Sequence, residues 1–284
     1  MGTMMKISFS SLGDPKKPLV DLVKLLAAEG YDAIELRGRP NEHVHWQDSP
    51  QRRREVRQIL ADAGMEAASV STYVFAANRD NLGPDKPDNR DEAGNTEELK
   101  RWVDLAGDLG ARNVRIFGGA LTAGETHDDA LPRVARIMDA GAAVNPDINI
   151  CIECHDVWNT GKIVSRVLDA TKHRNCRALL DVHGPQHANE PPEVTIALLK
   201  PERIAYLHLK DYFIGPRPDG KRDMYQCFIG AGTTPVRKTI HLLKKANWSG
   251  YLNIEWEGIY HKYMPATEAA IVQGILKLKE YLAE

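Results

Sequence analysis

Residues 148–156 read INICIECHD, and the reading of this stretch decides the fold. Its second half crowds together Cys151, Glu153, Cys154, His155 and Asp156, which invites a redox pair or a zinc knuckle. The isoleucines, however, recur at every second position. That period predicts a strand over 148–154, followed by a helical pattern over 161–172. Successive side chains of a strand face opposite sides, so Ile150, Ile152 and Cys154 share one face and Cys151, Glu153 and His155 the other. Cys151 and Cys154 therefore point apart and cannot readily form a disulfide or chelate one zinc ion.

The same strand-then-helix unit recurs along the chain. Strands are predicted over 6–10, 33–37, 67–72, 113–117, 148–154, 177–182, 204–209 and 251–256. Helices are predicted over 16–28, 49–63, up to Leu109, 128–143, 161–172, 193–199, 235–246 and 267–282. Gly30, Gly64 and Gly110 supply helix stops. Eight β-then-α units argue for a parallel sheet, and eight such units close into a (β/α)8 TIM barrel, an α/β fold. A doubly wound open sheet is the competing architecture, but no G-x-G-x-x-G follows any strand. The long loops after strands three and seven are expected to cover the site.

A chain of 284 residues is within the range of one barrel, so residues 1–284 are read as a single domain, with 1–4 not assigned to the fold. The 37 basic and 39 acidic residues are interspersed, and Arg52, Arg53 and Arg54 fall on a solvated helix face. This balance argues against nucleic acid as a partner. There is no apolar run of about 18 residues to span a membrane and no signal-peptide core at the start. Four cysteines are too few for a disulfide scaffold. A soluble cytoplasmic protein with a small-molecule partner is expected, with room for a homo-oligomer.

The inward positions at the strand ends carry the chemistry. Glu153, Asp181, His208 and Glu255 fall at the C-terminal ends of strands five to eight, the face where barrel active sites assemble. Three carboxylates so close repel unless neutralised, and a divalent cation neutralises them directly. Three oxygen donors and one imidazole suit Mn²⁺, Co²⁺ or Mg²⁺ better than a structural zinc. Elsewhere in the interior, Glu35 and Arg115 are expected to pair as a buried salt bridge.

The runs "IECHD", "LLDVHG", "YLHLKD", "GAGTTP" and "NIEWEG" occur in this order. With them the chain resembles the xylose isomerase-like barrel superfamily of sugar and sugar-phosphate isomerases and epimerases. The ketose 3-epimerase, hydroxypyruvate isomerase and inosose dehydratase branches are nearest in pattern. The resemblance implies one divalent ion on Glu153, Asp181, His208 and Glu255, with Glu153 and Glu255 as the acid/base pair. It also implies substrate contacts from His155, from His183 and from Arg217 in the strand-seven loop, where Arg222 competes. His183 follows Asp181 by two residues where the family more often has three. Lys210 and Asp211 either orient His208 or its loop, or meet substrate, and Trp158 and Trp256 are read as wall and core.

The chemistry expected of such a set is proton abstraction next to a carbonyl through a metal-stabilised enediolate. Isomerisation or epimerisation of a ketose or keto-sugar is the leading expectation. Dehydration of a keto-sugar, ketocyclitol or 3-keto-glycoside is the alternative. An abasic-site endonuclease and a non-catalytic partner subunit rank below both, the first because no basic stripe is present, the second because all four ligands are.

Overall fold

In the computed structural model, residues 5–78, 91–217, 219 and 221–284 are described. Eight parallel strands close on themselves: β1 (Lys6–Ser10), β2 (Ala33–Arg37), β3 (Glu66–Phe75), β4 (Asn113–Phe117), β5 (Asn149–Glu153), β6 (Cys176–Asp181), β7 (Ile204–Leu209) and β10 (Tyr251–Ile254). β10 pairs with both β7 and β1, which completes the barrel. Outside lie α1 (Leu19–Glu29), α2 (Pro50–Asp62), α3 (Glu92–Leu109), α4 (His127–Ala142), α5 (Gly161–Ala170), α7 (Pro192–Leu199), α8 (Val236–Lys245) and α9 (Thr267–Ala283). A one-turn helix, α6 (His183–His187), follows β6. Among the described residues, no helix is long and apolar enough to cross a membrane.

Local chemistry sets the helix ends. Thr126 and Asp129 form a reciprocal capping box at the start of α4, which satisfies backbone N–H groups left without helical partners. Thr160 caps α5 and Ser49 caps α2 in one direction only, each hydroxyl accepting from the amide three residues on. At the other end, Gly30 (φ 88°) and Gly110 (φ 73°) adopt the left-handed conformation that closes α1 and α3.

Strand alternation sorts the interior as the period-2 reading requires. Ile150, Ile152, Cys154, Leu180, Leu207, Leu252 and Ile254 join the large apolar core between barrel and helices. Cys151, Leu179 and Tyr206 instead pack inside the barrel with Ala33, Ala68, Ala205 and Tyr251. All four cysteines are free thiols, and burial pushes the thiols of Cys151 and Cys154 up. Trp158 is a wall residue: it is fully buried and its indole N–H donates to the Gly119 carbonyl at 2.9 Å. Trp256 is buried and stacks on Phe228.

Three features depart from the sequence reading. The segment after β7 is not a plain loop but an antiparallel hairpin, β8 (Asp211–Pro216) with β9 (Arg222–Cys227). β3 continues to Phe75, three residues beyond the predicted end, and so carries Tyr73 and Phe75 toward the mouth. β10 stops at Ile254, which leaves Glu255 and Trp256 just past its end. Part of the predicted loop after β3, residues 79–90, lies outside the described residues, as do residues 1–4.

Candidate metal centre and active site

β5, β6 and β7, and the residue just past β10, each deliver one inward side chain to the same end of the barrel. Glu153 and Asp181 are the last residues of β5 and β6, and His208 is next to last in β7, paired in register with Asp181. His208 is fully buried at the centre. Its Nδ1 lies 3.0 Å from Glu153 Oε1 and 3.0 Å from Glu255 Oε2. Its Nε2 lies 2.9 Å from Glu35 Oε2.

The two ring nitrogens diverge, so a single ion can use only one of them. Glu153 and Glu255 flank Nδ1, and the partner of Nε2 is Glu35. Glu35 is also bonded by the Tyr206 hydroxyl at 3.0 Å and the Asn253 amide at 3.3 Å. An imidazole that donates Nε2–H to a carboxylate presents the Nδ1 lone pair outward, the arrangement by which outer carboxylates orient metal-binding histidines. Glu35 is therefore a positioning residue beneath His208. The expected Glu35 with Arg115 salt bridge is corrected: Arg115 Nη1 pairs with Glu153 Oε2 at 3.0 Å.

Burial acts against every charge here, and neighbouring charges decide the outcome. For Glu153, burial raises the pKa, but His208 and Arg115 outweigh it and hold the carboxyl down at about 2. For Glu255 burial is likewise outweighed, by His208 and Lys210, and the carboxyl sits well below its ordinary range. For His208, burial lowers the pKa, but Glu255, Glu35 and Glu153 together raise it well above the usual imidazole value. A metal at Nδ1 would take the place of a proton there.

The residues fit a divalent ion by their donor chemistry, three carboxylates and one imidazole. Glu255 Oε2 is buried and accepts no well-aligned hydrogen bond, although Lys210 Nζ lies at 2.7 Å and His208 Nδ1 at 3.0 Å. Glu35, Glu153, Asp181, Glu255 and Glu257 outnumber the fixed cations Arg115 and Lys210, which leaves negative charge for an ion to offset. Potential ligand atoms fall into two clusters, Glu35–His208–Glu255 and Glu153–His155–Asp181, each within 4.8 Å. The four expected ligands straddle the two. Lys210 bridges the gap between Asp181 and Glu255.

The substrate-contact candidates are placed differently. His155 stands at the mouth, half exposed, its Nδ1 3.0 Å from Asp156 and its ring 5.0 Å from that of Phe117. His183 stacks on Tyr212 at 4.0 Å, and its backbone N–H donates to Asp181 Oδ1 at 3.0 Å. Arg217 stands apart, at the far end of the β8–β9 hairpin, 48% exposed and near Asp219 and Asp223 at 3.5 and 3.4 Å. Arg222 is exposed on the same hairpin. Asp211 accepts from the backbone N–H groups of Gly230, Gly232 and Thr234, and so pins the "GAGTTP" turn.

Several residues at the mouth escaped the sequence reading. Arg37 donates to the Tyr73 and Tyr260 hydroxyls, each at 2.7 Å, and to Glu42 at 2.8 Å. Phe75 stacks on Phe117, and the Arg115 guanidinium lies 3.9 Å from the Phe117 ring centre. These form one aromatic wall. Glu257 also escaped it, although it carried a usable signal, lying two residues beyond Glu255; Lys210, already singled out, lies two beyond His208.

A family profile described as "Xylose isomerase-like TIM barrel" matches residues 23–281. The chain belongs to that family. No curated protein matches it. Among solved structures, the IolI protein with a bound zinc atom is 17% identical, with a TM-score of 0.74 over 98% of each chain. D-psicose 3-epimerase in the presence of D-fructose is 14% identical, with a TM-score of 0.73, over 98% of this chain and 99% of that one. The probable 3-DHS dehydratase AsbF of Bacillus anthracis is 18% identical, with a TM-score of 0.68, over 94% of this chain and 97% of that one. At these identities the likeness is one of fold.

Proposed function

We propose that this chain is a divalent-metal-dependent isomerase or epimerase of a ketose or keto-sugar. The observation that carries the proposal is the pair of carboxylates, Glu153 and Glu255, each 3.0 Å from the same His208 nitrogen. Glu153 Oε1, Asp181, His208 Nδ1 and Glu255 Oε2 would hold the ion, with Mn²⁺, Co²⁺ or Mg²⁺ suited to the oxygen-rich set. When bound, the ion acts as a Lewis acid that draws charge from a substrate carbonyl and its neighbouring hydroxyl.

The remaining work falls to the chain's own side chains. Glu153 and Glu255 are both kept ionised, and a carboxylate so kept is ready to accept a proton from the carbon beside the carbonyl. One glutamate removes the proton. The other takes up a proton from solvent and delivers it to the opposite face of that carbon, which inverts it, or to the former carbonyl carbon while the neighbouring hydroxyl proton passes to the former carbonyl oxygen, which exchanges aldose and ketose; the first glutamate then returns its proton to solvent. Arg115 donates to Glu153 Oε2 and so fixes the orientation of that carboxylate. The wall of Tyr73, Phe75 and Phe117 offers apolar faces for the C–H side of a sugar ring and shields the site from water.

A dehydratase reading has one observation in its favour. His155 clusters with Glu153 and Asp181, and Asp156 and Glu153 outweigh burial to raise its pKa. An imidazole at the mouth, when it carries a proton, would be suited to assist the departure of a β-hydroxyl as water.

A screen of ketoses, ketocyclitols and 3-keto-glycosides with Mn²⁺ or Co²⁺ in D₂O separates the two. Solvent deuterium at the carbon acid without loss of water supports isomerisation or epimerisation. Loss of water supports the lyase. A result with neither exchange into nor loss of water from any of them contradicts both.

A further inference from the structure

We infer that Lys210 is a built-in counter-ion that competes with the metal for Asp181 and Glu255, and withdraws to Glu257 when an ion binds. The inference rests on the metal reading above and deepens it.

Lys210 directly follows β7 and has the same parity as His208, so its side chain turns into the site. It is only 3% exposed. Its ammonium lies 2.9 Å from Asp181 Oδ2, 2.7 Å from Glu255 Oε2 and 3.1 Å from Glu257 Oε1. A lysine is almost never buried this deeply without such partners. Two of the three are expected metal ligands. The ammonium thus offsets the charge a divalent ion would offset.

The two cations cannot both keep close contact with those oxygens. Like charges a few ångströms apart in a buried site repel strongly, because little water screens them. Glu257 gives the ammonium somewhere to go. It is outside the expected ligand set, its side chain is 19% exposed, and the Tyr212 hydroxyl reaches its Oε2 at 3.4 Å. Without Lys210, Asp181 and Glu255 would face each other with no fixed cation between them. The lysine thus lets the acid cluster form before metal arrives, and sets how tightly the ion is then held.

The test is Mn²⁺ binding to the chelator-stripped full chain, followed through the electron paramagnetic resonance signal of free Mn²⁺, together with thermal melting. K210M should bind Mn²⁺ roughly tenfold tighter than wild type or more, a coupling of ordinary size between two linked events. K210R keeps the charge and should stay near wild type. E257Q removes the refuge and should bind more weakly. Stripped K210M should melt lower than wild type, and Mn²⁺ should raise its midpoint by more.

A K210M protein that folds only with Mn²⁺ supports the inference, since the ion then replaces the ammonium. One that stays unfolded with or without Mn²⁺ overturns it. If wild type binds Mn²⁺ and K210M binds equally or more weakly, the inference fails and the metal reading stands. If wild type binds none and K210M binds, competition is supported in its strongest form. If neither binds, both readings fall.

Discussion

The upper and lower halves of the barrel interior are built from the same strands, two residues apart, and do different work. On β5, Cys151 lies below Glu153; on β6, Leu179 below Asp181; on β7, Tyr206 below His208. The lower set packs with alanines and Tyr251 into a small apolar plug. The upper set gathers four carboxylates, a histidine, an arginine and a lysine. A side chain therefore fills space or does chemistry according to its height along the strand. The plug supports the charged layer from beneath, and Tyr206 belongs to both, packed below and bonded through its hydroxyl to Glu35 and Ser69.

Substitutions in the two layers should consequently fail in opposite ways. The largest effect is expected in the upper layer: E153Q or E255Q should reduce turnover by about 10²–10⁴-fold, the usual contribution of a positioned acid or base. Each should melt cooperatively and close to the wild-type midpoint. Steady-state rates on whichever substrate the deuterium screen identifies, beside a melting curve, check this. Near-full activity of E255Q would break the two-carboxylate account. In the lower layer, L179A should cost about 2–5 kcal/mol of stability, as cavity-forming substitutions at buried leucines do. Urea unfolding measures that loss, and Mn²⁺ stoichiometry should be unchanged in the folded protein.

A smaller effect is expected between the layers. E35Q leaves the His208 Nε2 side without its carboxylate and should weaken Mn²⁺ binding about 10–100-fold, as loss of an orienting outer group does. Calorimetric titration reads it directly. An unchanged affinity would remove Glu35 from the positioning role. The smallest effect is expected outside both layers. R217A, at the exposed end of the hairpin, should change stability by no more than about 0.5 kcal/mol. Its turnover should stay close to wild type, and a large loss would mean that the hairpin reaches over the site during the reaction.

The sequence made the barrel legible because period 2 and period 3.6 alternate eight times, with helix stops between them. It made the upper-layer residues legible for a related reason: alternation assigns a face to every strand residue. Alternation does not assign height. Arg115 faces inward as expected, yet the stagger of the closed sheet sets it against Glu153 rather than Glu35. The contact of Glu35 with His208 joins residues 173 apart, which no local period reports. The β8–β9 hairpin was there to be read, since Tyr212, Phe213 and Ile214 precede a Pro/Gly/Asp turn and Met224 and Tyr225 follow it. Its turn residues read as loop, and so Arg217 was expected nearer the site than the hairpin puts it.

The central claim is that Glu153, Asp181, His208 and Glu255 converge on one divalent ion. Anomalous diffraction at the manganese edge from a crystal soaked in Mn²⁺ tests it most directly. The account predicts a single peak on the Nδ1 side of His208, within bonding distance of the Glu153, Asp181 and Glu255 carboxylates, with the Lys210 ammonium moved onto Glu257. No peak in the barrel, or a peak on the Nε2 side between His208 and Glu35, would contradict it.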